Sequence, residues 1–278
     1  MKLNKQQPIG IFDSGIGGLT VANAFSKVLP EEQLIYFGDT AHLPYGDKSP
    51  EAILGYSIRI SQVLKEMNCK VVVMACNTAS AVAFEPLTIA HHDQVAMFNV
   101  IDPLVEGIAA RKEIKKLGII GTKGTIGSAV YPKKLKALLP DLEIHSLATP
   151  LLVPMIEEGY SHNRISKALI DEYLNHKPFQ EIDSLILACT HYPLIRKEIE
   201  EYYGGKVQVY DSTDFTVEVV NNHLDDLNLL NDQKAAENEF YVSDFTESFE
   251  QTTRLFYGEQ IHLNLMPIWE NLKSNTNG

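Results

Sequence analysis

The chain has 278 residues, 45% hydrophobic and 22% charged, with a net charge of −12 at pH 7, which is the composition of an ordinary soluble enzyme with one large or two smaller domains. The acidic balance excludes a surface built for nucleic-acid phosphates, which draws on clustered Lys and Arg. No apolar run approaches the roughly 20 residues that span a bilayer, and three cysteines make no disulfide framework.

The opening MKLNKQQPIG leads straight into a strand and lacks the apolar stretch of a signal peptide, so a cytoplasmic, reducing location is expected. A strand over Ile9 to Phe12 runs into Asp13-Ser14-Gly15-Ile16-Gly17-Gly18-Leu19, a glycine-rich strand-to-helix turn ahead of a helix over Leu19 to Val28. Its amides suit an anion such as a carboxylate. The third glycine is misplaced for a dinucleotide fingerprint, and the turn lacks a phosphate-loop lysine. A strand over Leu34 to Phe37 leads into Gly38-Asp39-Thr40-Ala41-His42-Leu43-Pro44-Tyr45-Gly46, so rich in turn formers that it reads either as an ordered loop bringing Tyr45 and Gly46 to a ligand or as plain surface. A helix over Glu51 to Met67 precedes a strand over Val71 to Met74, which ends in Ala75-Cys76-Asn77-Thr78.

His91-His92-Asp93 reads as solvated surface rather than metal ligands, because adjacent residues do not share a helix face and further ligands at suitable spacing are lacking. Strands over Met97 to Val100, Lys116 to Ile120, Glu143 to Ser146, Ser184 to Leu187 and Val207 to Tyr210 alternate with helices over Leu104 to Arg111, Ile165 to Leu174 and Leu194 to Tyr202. That alternation predicts an α/β fold with mainly parallel sheets. From about Asp211 the chain returns to helix, then a short strand over Glu239 to Val242, then a helix capped by Asp244, and is expected to fold back onto the first half. The tail Ser274-Asn275-Thr276-Asn277-Gly278 reads as disordered.

The sequence carries an internal echo. Ile9-Gly10-Ile11-Phe12-Asp13-Ser14-Gly15 is similar to Leu117-Gly118-Ile119-Ile120-Gly121-Thr122-Lys123, a step of 108 residues from Gly10 to Gly118. Ala75-Cys76-Asn77-Thr78 is similar to Ala188-Cys189-Thr190-His191, a step of 113 residues between the cysteines. In a sheet of this kind ligands bind at the carboxyl ends of the strands, where all four segments lie. One cysteine at a strand end is commonly core packing. Two in the same polar setting point to thiols flanking one cavity. Cys69, at the start of its strand and the opposite edge of the sheet, reads as structural.

Each accompanying residue has a plainer reading as well. Asp13 is either the partner of Cys76 or a turn aspartate ahead of the helix. His191 is either an acid assisting Cys189 or a solvated loop residue. Thr122 and Thr125 either donate to a substrate carboxylate or are ordinary turn residues.

Taken in order, Asp13-Ser14-Gly15, Pro44-Tyr45-Gly46, Cys76-Asn77-Thr78, the Gly121 to Ser128 turn and Cys189-Thr190-His191 give the chain a close resemblance to the glutamate racemases, cofactor-independent enzymes that supply D-glutamate for bacterial peptidoglycan. The resemblance runs through nearly the whole chain. It implies two similar doubly wound, mainly parallel α/β domains with the active site between them, here residues 1–99 plus 211–278 and residues 100–210. It implies that Cys76 and Cys189 are the acid/base pair on opposite faces of the substrate α-carbon, Cys76 acting on D-glutamate and Cys189 on L-glutamate. Asp13 then assists the first thiol and His191 the second. Ser14, Tyr45, Gly46, Asn77, Thr78 and Thr190 match substrate-contact positions, Thr122 and Thr125 join them, and Asp13 and His191 reach the same substrate. A small-molecule substrate, no cofactor, no metal, no nucleic acid, no membrane and a homodimer complete what the resemblance implies.

The chemistry of the residues agrees. Removing an α-proton from an amino acid leaves a poorly stabilised carbanion, which pyridoxal phosphate enzymes solve through a lysine Schiff base. No lysine here sits at a comparable strand exit. The remaining route is a closed, water-poor cavity whose amides and hydroxyls favour the developing charge, with one cysteine as thiolate while the other is thiol. An aspartate or hydantoin racemase would carry the same cysteine pair, although the glycine-rich turn and the Pro-Tyr-Gly loop favour glutamate. A doubly wound nucleotide- or flavin-binding protein would leave the duplicated cysteines unexplained. Intact Cys76, Cys189, Asp13 and His191 argue against a non-catalytic binding module, and the lack of a Cys-x-x-Cys pair against a thiol oxidoreductase.

Overall fold

The computed structural model describes residues 3–91, 95–233 and 236–269. Its strands are β1 (Ile9–Asp13), β2 (Leu34–Gly38), β3 (Val71–Met74), β4 (Ala96–Asn99), β5 (Lys116–Gly121), β6 (Glu143–Ala148), β7 (Ser184–Ala188), β8 (Gln208–Tyr210), β9 (Glu239–Val242) and β10 (Asn264–Leu265). The helices are α1 (Leu19–Val28), α2 (Pro50–Glu66), α3 (Asn77–His91), α4 (Asp102–Ala109), α5 (Lys123–Gly127), α6 (Val130–Leu138), α7 (Leu152–Glu157), α8 (Arg164–Leu174), α9 (Lys177–Gln180), α10 (Arg196–Tyr202), α11 (Thr213–Asp226) and α12 (Glu247–Tyr257).

Two wholly parallel sheets result, the first ordered β10-β9-β2-β1-β3-β4 and the second β6-β5-β7-β8. Strands covered on both faces must be apolar throughout, and β1, β2, β3 and β7 are buried at every residue. The two sheets repeat one pattern. The first strand of each (β1, β5) is followed by a neighbour on one side (β2, β6) and then by a third strand on the other (β3, β7). The order therefore reverses between β1 and β3 and again between β5 and β7, and a doubly wound sheet opens a crevice where its order reverses. The glycine-rich turn and Cys76 leave one reversal point. Thr122 and Cys189 leave the other.

Local capping explains several boundaries. Ser49 accepts the Ala52 amide ahead of Pro50 at the start of α2, and Thr122 accepts the Thr125 amide at the start of α5. Helix α12 is capped by Thr246, which accepts the Phe249 amide, and not by Asp244. The Asp244 amide instead donates to Thr40, which fixes the chain to the β2 exit. As expected, the last part of the chain returns to the first sheet, where β9 pairs with β2. His92, Asp93 and the tail from Ser274 lie outside the described residues, so the surface and disorder readings there have no structural counterpart.

Candidate active site

Between the carboxyl ends of the two sheets lies a cavity of about 230 Å³. Ser14, Tyr45, Gly46, Cys76, Asn77 and Thr78 line it from the first sheet, and Thr122, Cys189, Thr190 and His191 from the second. Asp13 and Thr125 sit one layer behind this wall, so the structure brings together all the residues singled out in the sequence but gives those two an indirect place.

Cys76 occupies the turn from β3 into α3. Its sulfur accepts the Ala79 amide at 3.4 Å, and its thiol donates to the Ser14 hydroxyl at 3.7 Å. Burial foremost, and then the Asp13 carboxylate, push this thiol up to about 12, so it is protonated at neutral pH. Asp13 is itself 1% exposed. One oxygen accepts the Gly18 amide at 2.9 Å and the Gly15 amide at 3.3 Å, while Oδ1 has no partner. Burial raises its pKa, against the lowering effects of His191 and of the turn amides.

Cys189 follows β7 directly, and its sulfur lies 3.8 Å from His191 Nδ1. The other ring nitrogen, Nε2, lies 2.9 Å from Glu157 Oε1. Burial works against a charged imidazole here, but the bonds to Cys189 and Glu157 outweigh it and raise His191 to about 10. An imidazolium at this distance is the type of neighbour that stabilises a negative sulfur. The edge of Phe256 seats the ring from the side, with centroids 5.0 Å apart.

The two halves touch around the cavity through small groups. A Cβ on Gly17 would stand 2.2 Å from His191 Cε1, so only glycine lets the turn approach the imidazole. Thr20 donates to the Thr190 carbonyl at 3.0 Å. Thr78 from α3 meets Thr122 at 2.8 Å and Thr125 at 3.1 Å, a cluster of three hydroxyls joining the two strand exits. Asn77 accepts from the Tyr131 hydroxyl at 2.6 Å and leaves its buried Nδ2 without a partner. A buried polar atom in that state at a cavity wall is suited to a ligand.

Several contributors were not singled out in the sequence. Glu157 is one of two adjacent glutamates, and nothing in the local pattern marks which of them reaches His191. Thr149, Pro150, Val153 and Pro154 also line the cavity. Lys123 at the mouth pairs with Asp47 across the halves at 3.3 Å. Among the described residues no three His, Cys, Asp or Glu side chains converge as metal ligands, and no helix is long and apolar enough to cross a membrane.

Two parallel sheets that meet at one cavity, each delivering a buried cysteine from a strand exit, define an α/β enzyme for a small molecule enclosed between its halves. The family model described as Asp/Glu/Hydantoin racemase matches residues 20–220. A glutamate racemase of Geobacter metallireducens is 41% identical over 254 residues, spanning 91% of this chain and 93% of its own length. The glutamate racemase of Francisella tularensis, solved in complex with D-glutamate, matches with a TM-score of 0.88 at 32% identity, over 95% of this chain and 99% of that one. An aspartate racemase of Picrophilus torridus shares the fold at a TM-score of 0.56 and 19% identity, over 78% of this chain and 94% of that one. The chain belongs to the Asp/Glu/Hydantoin racemase family and is an amino-acid racemase, an isomerase.

Proposed function

We propose that the protein interconverts L- and D-glutamate by a two-base 1,1-proton transfer between Cys76 and Cys189. The observation that carries this reading is the pair of buried cysteines lining one cavity from opposite sheets. One base can exchange a proton on one face of a carbon, whereas inversion calls for a partner on the other. Glutamate as the substrate is supported by the names of the relatives matched over most of the chain, and by the D-glutamate bound in the Francisella protein.

In the L-to-D direction Cys189, as thiolate beside the His191 imidazolium, removes the α-proton. The electron pair of the broken C–H bond moves toward the α-carboxylate, giving an enolate-like intermediate. Asn77, Thr78 and Thr190, which line the cavity, supply donors for that charge. Cys76, protonated at rest, then delivers its proton to the opposite face. The products are D-glutamate, a Cys189 thiol and a Cys76 thiolate, and exchange with solvent or a reverse turnover restores the starting state. Asp13 keeps the first thiol in its protonated form until the proton is given up, and His191 does the converse for Cys189. Ser14, Tyr45, Gly46, Thr122 and Thr125 position the substrate directly or through the threonine cluster. No cofactor takes part.

The same reading divides the chain into domains of residues 1–99 plus 211–278 and residues 100–210, which the allocation of strands to the two sheets supports. It gives the enzyme the role of supplying D-glutamate for peptidoglycan in the cytoplasm, as a homodimer.

The test is polarimetry on purified protein with L-glutamate and L-aspartate in parallel. Rotation should vanish for glutamate only, and activity on aspartate instead would overturn the substrate assignment. Cys76→Ala and Cys189→Ala should each lose about 10²–10⁴-fold in both directions while remaining folded, the usual size of a lost acid or base. Appreciable two-way turnover by either variant would contradict the two-base assignment.

A further inference from the structure

One wall of the cavity, Tyr45 and Gly46, belongs to no strand or α-helix. It lies in the second of two short 3-10 turns, Thr40–His42 and Tyr45–Asp47, and the backbone bonds of this stretch are few: His42 to Asp39 at 3.2 Å, Asp47 to Pro44 at 3.4 Å and Lys48 to Tyr45 at 3.1 Å. Something else must fix its position. The side chain of Asp39, directly after β2 and fully buried, accepts four donors from three separate segments. Oδ2 takes the Tyr45 hydroxyl at 2.7 Å and His42 Nδ1 at 2.9 Å. Oδ1 takes the Ser243 hydroxyl at 2.7 Å and the Trp269 indole N–H at 2.8 Å. Its own amide is tied to the Asp13 carbonyl at 3.0 Å.

Ser243 follows β9, and Trp269, the only tryptophan of the chain, lies beyond β10, 230 residues from Asp39. The indole also meets His42 edge-on at 4.7 Å and Tyr56 at 5.5 Å, while His42 stacks flat on Tyr56 at 3.9 Å. Asp39, His42, Tyr56, Ser243 and Trp269 do not line the cavity, yet Tyr45 and Gly46 do. Burial and the neighbouring carboxylate push the Tyr45 phenol well above its usual value, so it keeps its proton and remains a donor to Asp39. At the cavity's edge Gly46 packs directly against Thr122 of the second half, where a Cβ on Gly46 would stand 3.0 Å from Thr122 Cβ. A shift of a few tenths of an ångström in this wall therefore alters the space left for substrate.

We propose that Asp39 is a positioning residue for the Tyr45–Gly46 wall, and that the C-terminal segment, through Trp269, holds it in the orientation that sets substrate affinity. The inference rests on the reading that glutamate binds in this cavity. Neither thiol belongs to the Asp39 cluster, whose one link to a thiol partner is the backbone bond from the Asp39 amide to the Asp13 carbonyl, so the effect of the side-chain variants falls on KM and not on the proton-transfer step.

The test is steady-state kinetics of Trp269→Phe, which keeps an aromatic ring and removes only the N–H, beside Asp39→Asn and the wild type. For Trp269→Phe we expect KM for glutamate to rise about threefold to tenfold, the net scale of one ordinary hydrogen bond, with kcat within about twofold. Asp39→Asn places an amide N–H₂ against donors and should raise KM further. Tyr45→Phe combined with Trp269→Phe should lose less than the product of the single losses, because both act through one carboxylate. Unchanged KM in Trp269→Phe, or strictly multiplicative losses in the double variant, overturns the proposal. Lack of glutamate turnover by the wild type contradicts instead the substrate reading on which it rests.

Discussion

Asp13 accepts two amides on one oxygen and nothing on the other, in a place water does not reach. Its pKa is raised by burial, so in the folded state the ionised form is disfavoured relative to the unfolded chain. For a carboxyl raised on folding, the sign of the linkage is that stability falls as pH rises from the unfolded value through the folded one, and at neutral pH the ionised group is a cost. Asp13→Asn should therefore raise Tm at pH 7 while lowering kcat, and it should flatten the decline in Tm with pH above about 4. Thermal melts of both proteins across that range check it, and a lower Tm for the variant at pH 7 would contradict the account. Such exchange of stability for activity is common at functional sites. At this scale Cys76, Cys189, Asp13 and His191 were legible because each ends an apolar run with a polar or reactive group. Glu157 and the Asp39 cluster were not, since their partners lie 34 and up to 230 residues away and no local pattern signals such a meeting.

The glycine-rich turn between β1 and α1 sets how closely the two halves approach. Its glycines are not a phosphate cradle here: Gly18 packs on Asp13, where a Cβ would stand 2.5 Å from Asp13 Cβ, and Gly17 packs on the His191 ring. Gly17→Ala must push the turn or the imidazole aside. We expect kcat/KM to fall on the order of 10²-fold, the scale of an ångström-sized misplacement in an active site, with both sheets intact by circular dichroism. Near-wild-type activity would show that the close approach is dispensable. Strands were the most legible elements, because a parallel strand buried on both faces must be a continuous apolar run. Two elements were harder. Helix α3 carries Pro86 in its interior and little apolar periodicity, and β10 is only two residues long. The α12 cap was misplaced by two residues because Asp244 and Thr246 both suit an N-cap, and only the Thr40 contact decides between them.

Across the whole molecule the same strand order occurs in both sheets, and each reversal point delivers one cysteine to a common cavity. The repeat was legible in the sequence through the near-equal steps between the glycines and between the cysteines. The facing of the two sheets was not, because the contacts that join them, among them Thr78 with Thr122 and Thr125, Thr20 with Thr190 and Gly17 with His191, pair residues far apart in the chain without a sequence signature. This arrangement makes a demand that label from solvent can read directly. The purified protein would be incubated with L-glutamate in D₂O, without pyridoxal phosphate or metal, and the two enantiomers separated early in the reaction. Two bases on opposite faces predict α-deuterium in the D-glutamate formed and protium in the L-glutamate recovered. Protium retained in the D-glutamate, or deuterium entering both enantiomers at equal rates from the start, would contradict transfer between Cys76 and Cys189.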